Sequence, residues 1–100
     1  MDEIEFYKHI TGEWICANEE GIFIFKYDGF RMYKRVEDEW VETHEWWLVT
    51  LTESSKEVTG IDFKFLGLPQ LLLKNYDENP VALDFERMLT NRLYHFKKYS

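Results

Sequence analysis

From Glu13 onward the chain is a succession of short runs of β-branched and aromatic residues, interrupted by turn residues about every ten positions. That spacing constrains the fold more than any other feature. "EWICAN" and "GIFIFKY" are separated by Glu19-Glu20, and Asp28-Gly29 favours a tight turn into "FRMYKRV", because this pair tolerates positive φ. The acidic "EDE" at 37–39 turns the chain into "WVETHEWWLVTL", read as one long strand. "EVTGIDFKFLG" sets Thr59, Ile61, Phe63 and Phe65 against Asp62 and Lys64, the period of a half-buried strand, with Gly60 marking a bulge or bend. "QLLLKNY", "VALDFERML" and "RLYHFKKY" complete about eight strands. Residues 3–10 lead into them with helix-like spacing of Ile4, Tyr7 and either Phe6 or Ile10, stopped by Thr11-Gly12.

No segment between strands is long enough for a parallel crossover, so the strands are expected to form an antiparallel up-and-down meander. A sheet of that size must close or stack to protect its edges, and a small closed barrel is the simplest solution. One domain over residues 1–100 is expected from the length. The eight Phe, six Tyr and four Trp provide ample material for its core.

Gly12-Glu13-Trp14, at the entry to the first strand and after a short helical lead, resembles the lipocalin and wider calycin signature. The final strand "NRLYHFKKY" is similar to the closing strand of small bacterial lipocalin-like domains. The resemblance implies that Gly12 allows a tight entry and that Trp14 packs across the barrel end beneath a basic side chain from near the last strand. Arg92 is the expected cation, followed by Lys97 and Arg87. It also implies a non-enzymatic protein that binds a small apolar ligand at its open end, with Phe25, Trp46, Phe63 and Phe65 as lining residues.

Charge suggests a second role. Residues 1–57 carry 14 acidic and 6 basic side chains, whereas residues 58–100 carry 5 and 6, so the net charge of −7 belongs to the front half. This field disfavours direct nucleic-acid binding and favours a basic protein partner. Glu37, Asp38, Glu39, Glu42 and Glu45, with Trp40 and either Trp46 or Trp47 as aromatic anchors, form the expected docking surface of such an inhibitor or immunity-like module.

Catalytic and metal motifs are sparse. His9, His44 and His95 lack zinc-ligand spacing, so no metal or cofactor is expected. Glu42 and His44 share a strand face, where a hydrogen-bonded pair would be structural or, less simply, would poise a general base, and neither Cys16 nor any serine has a histidine placed to activate it. The expectation is no enzyme activity. The polar, acidic N-terminus and short apolar runs predict a cytoplasmic protein without a membrane span, as a monomer or homodimer.

Overall fold

A computed structural model describes residues 1–99. Helix α1 (Glu3–Ile10) is followed by strands β1 (Gly12–Asn18), β2 (Gly21–Tyr27), β3 (Met32–Val36), β4 (Glu39–Thr43), β5 (Trp47–Thr50), β6 (Val58–Phe63), β7 (Leu68–Leu73), β8 (Ala82–Arg87) and β9 (Leu93–Lys98). A 3₁₀ turn at Lys64–Leu66 joins β6 to β7. The nine strands form one antiparallel sheet in the order β4-β3-β2-β1-β9-β8-β7-β6-β5, curled into a half-barrel. The first and last strands meet at Trp14↔Lys98 and Ile15↔Lys97.

The stretch expected to be one long strand is two. β4 pairs with β3 through Val36↔Glu39 to Met32↔Thr43, and β5 pairs with β6 through Trp47↔Asp62 to Thr50↔Val58. Eight antiparallel steps separate β4 from β5 in the sheet, so the two run in the same direction. They follow one another in one direction with only His44-Glu45-Trp46 between them, which explains why the sequence reads as continuous, although the inward side passes from odd positions at Thr43 to even ones at Leu48. Among the described residues, β4 has no second strand beside it, and neither has β5.

Local chemistry sets the hairpins. Glu37 and Asp38 both have positive φ (48° and 67°), so the β3–β4 turn is a two-residue connection made by residues that ordinarily avoid this region. The expected tight turn at Asp28-Gly29 is instead a four-residue connection. The Asp28 carboxylate accepts the Phe30 and Arg31 backbone N–H groups at 2.8 Å each, which holds its carboxyl below the usual range. Gly60 does mark a close approach, since a Cβ there would lie 1.8 Å from the Leu71 carbonyl oxygen.

Alternation fills the concave side with Trp14, Phe25, Ile61, Phe63, Leu71, Leu83, Phe85 and Phe96, all fully buried. Helix α1 begins with the Asp2 side chain accepting the Glu5 N–H and buries Phe6, His9 and Ile10 beneath the sheet. Its buried face is therefore rotated away from Ile4, which stays 68% exposed.

Two substitutions test this reading. Gly60→Ala should destabilise the protein by about 3 kcal/mol or more in denaturant unfolding, because a backbone carbonyl cannot yield as a flexible side chain can. Replacing Glu37-Asp38 with Asn-Gly should stabilise it by about 1 kcal/mol; a loss would contradict the turn geometry.

Candidate functional site

The helix-capped end of the half-barrel is organised around Trp14. Its indole N–H donates to the Ile10 carbonyl at 3.0 Å, tying the end of α1 to β1. Gly12, at φ 131°, leaves room beside the ring: a Cβ there would stand 2.7 Å from Lys98 Nζ. Lys98 Nζ lies 4.0 Å from the ring centroid. The cation over Trp14 is thus Lys98, and Arg92 instead engages Glu20 at 2.8 Å near the opposite end of the sheet. Strand parity separates Lys98 from Lys97, since Lys98 follows Tyr94 and Phe96 on the inward side whereas Lys97 belongs to the outward set; Arg92 precedes β9 at its far end, beside Glu20.

The four expected ligand-lining residues separate into two groups. Phe25 and Phe63 are fully buried with centroids 4.6 Å apart, and Phe85 and Phe96 pack against Phe63 at 5.9 and 6.4 Å. These rings occupy the barrel interior. Phe65 and Trp46 are half-buried at its margin. Trp46 sits at the change of partner, edge-on to Tyr7 and Tyr27, and Glu45 beside it accepts the Phe65 N–H through its carbonyl. Tyr7 stacks on Tyr27 at 5.2 Å, and burial together with nearby Glu3 pushes its hydroxyl up to about 12.

The expected docking surface is only partly assembled. Glu37, Asp38, Glu39, Glu42 and Glu45 are all exposed on β4 and its flanking turns. Glu42 has a loose contact with Arg31 at 3.7 Å and another with His44 at 3.9 Å. Trp40 does not stand free beside these acids. It lies on the outer face, with Arg35 4.9 Å and Lys26 5.7 Å from its ring, and Tyr99 packs edge-on against it. These neighbours screen it from the role of an anchor.

A surface cleft of about 660 Å³ opens between the start of α1 and β5–β6. Ile4, Leu48 and Val58 supply its apolar wall, while Asp2 and Glu3 stand on its rim. Sequence reasoning missed it because it depends on the break after β4, which exposes the flank of β5.

Three titratable features lie elsewhere in the molecule. His95 pairs with Asp84 on the outer face, and both groups are about half exposed. Cys16 is buried below them, and burial pushes its thiol up, away from the reactive thiolate. Asp62, assigned to the polar face by alternation, is buried opposite Trp47, and its Oδ1 has no partner among the described residues. Burial raises its carboxyl above the usual range, outweighing the opposing effects of the Gln70 backbone and Lys64. The described residues contain no group of three or more potential ligands able to hold a metal ion, and no helix long and apolar enough to cross a membrane.

Comparison with known proteins finds no matching family model, no matching curated protein and no matching solved structure.

Three outcomes are expected. Trp14→Ala should cost about 3–5 kcal/mol, as for other large core truncations. In a double-mutant cycle, Trp14→Phe should couple with Lys98→Met and be additive with Arg92→Ala. For Asp62, a raised folded pKa means that its contribution to stability is present below the unfolded carboxylate pKa and is lost as pH rises through the folded value. Asp62→Asn should remove that loss and stabilise the neutral-pH protein, as read from urea unfolding against pH.

Proposed function

We propose that this chain is a lipocalin-like, cytoplasmic, non-enzymatic binding module that docks a basic protein partner along its acidic front half. The observation that carries this reading is the break between β4 and β5. It leaves two strand edges without neighbouring strands, and both belong to the half of the chain that holds the excess negative charge. Free strand edges offer main-chain hydrogen bonds to a partner, and exposed carboxylates steer a basic one. The resemblance to lipocalins rests on Gly12, on Trp14 across the helix-capped end, and on a cation from the last strand over the indole.

The packed interior weighs against the other role in that resemblance, an apolar ligand held between Phe25 and Phe63. The half-buried positions of Trp46 and Phe65 beside the break support a second reading, a small apolar molecule bound at the margin.

Native mass spectrometry of the protein purified from its own cells separates the two. The proposal expects a co-purifying basic chain, bound less tightly as salt shortens the reach of surface charges. A co-purifying small molecule with no partner chain would favour the second reading.

A further inference from the structure

The two unpaired edges differ in a way that points to one of them as the recognition site. β4 carries Glu39 and Glu42, and charges on an exposed edge are a common device against unwanted pairing. β5 is Trp-Leu-Val-Thr, with no charge along its length, and its Trp47 is 50% exposed. This edge has no such guard.

The cleft of about 660 Å³ runs along the same strand. Leu48 and Thr50 of β5, Val58 of β6 and Ile4 of α1 form its lining, and Leu48 continues inward to the core. Side chains of an extended segment alternate between two sides, so a strand laid along β5 would place every second side chain toward this wall. A small amphiphile could use the apolar wall but would leave the β5 backbone groups unused. The combination of free backbone edge and apolar cleft therefore fits a peptide better.

Charge around the cleft selects the peptide. Asp2 and Glu3 line it, with Lys56 as the one opposing cation among the lining residues. Asp2 is fixed in place by accepting the Glu5 N–H, and Glu3 lies in the first helical turn. Glu57 is drawn to the N-terminal amine at 3.6 Å, which leaves the rim with the two carboxylates of α1.

We infer that β5 and the α1 cleft form a strand-addition site for an extended segment of a partner protein whose cleft-facing side chains, at every second position, include both apolar and Lys or Arg residues. The inference rests on the interaction-module reading above and specifies where and how the partner binds. Among the cleft-facing side chains, which come from every second position, the apolar ones sit beside Ile4, Leu48 and Val58 and the cations meet Asp2 and Glu3, while the backbone pairs with β5.

The test is a titration of the ¹⁵N-labelled full chain with a capped octapeptide in which valine and lysine take turns at the even positions and threonine fills the odd ones, and with its counterpart carrying glutamate for lysine. The expected result is saturable amide shifts at Ile4, Trp47–Thr50 and Val58 with the lysine peptide only. Affinity should fall at least about tenfold in Glu3→Lys, as expected when a close opposite charge becomes a like one, and remain unchanged in Glu42→Lys. Glu3 is exposed and adjoins Tyr7, so Glu3→Lys should perturb only α1 and the Tyr7–Tyr27–Trp46 cluster and leave the rest of the spectrum unchanged. Shifts confined to β4 and residues 37–45 would overturn this site while leaving the interaction reading intact. Equal binding of the glutamate peptide would overturn the charge selection, and the absence of shifts with either peptide would count against both the site and the wider reading.

Discussion

The architecture depends on a strand that changes partner partway along its length. Residues 39–50 follow one direction, yet their first half pairs with β3 and their second with β6, and three residues between them pair with neither strand. Hydrogen bonding fixes this constraint, because each half has a single strand neighbour and the remaining edge lies open. The half-barrel shape, the unguarded flank of β5 and the cleft beside α1 all follow from it. Had the strand paired with both neighbours throughout, the flank on which the proposed site is built would be occupied.

The interior explains why function is sought at the margin. Phe25, Phe63, Phe85 and Phe96 meet ring to ring, which suits the mutual preference of aromatic groups for tilted and edge-on packing. At the helical end Trp14 joins three elements: its N–H is held by the last residue of α1, its ring is covered by Lys98 of β9, and its backbone belongs to β1. The core and this end carry structure. The exposed front half carries the charge.

Much of the fold is legible in the sequence because period-two patterning sorts large apolar residues from polar ones, as in β8, where Leu83 and Phe85 are buried. The acidic turn at Glu37-Asp38 is legible too. The change of partner is not, because an extended backbone keeps the same local pattern whichever strand lies beside it, and both parities of residues 40–51 carry large apolar groups. Parity with Tyr94 and Phe96 separates Lys98 from Lys97 in the sequence, but Arg92 shares that parity and is set apart only by its place at the other end of β9, beside Glu20. Asp62 was not legible, because the bulged β6–β7 pairing, with Gln70 at φ 52°, buries a position that simple alternation assigns to water. The cleft residues come from three separate elements, so no local motif could announce them.

Amide hydrogen exchange across residues 39–50, resolved by residue, tests the change of partner most directly. The account predicts alternating protection along both β4 and β5, with amides directed toward β3 or β6 exchanging slowly and those on the open edges exchanging quickly. Continuous protection along either strand would mean that a second neighbour pairs with it, and would contradict the open edge on which the functional reading stands.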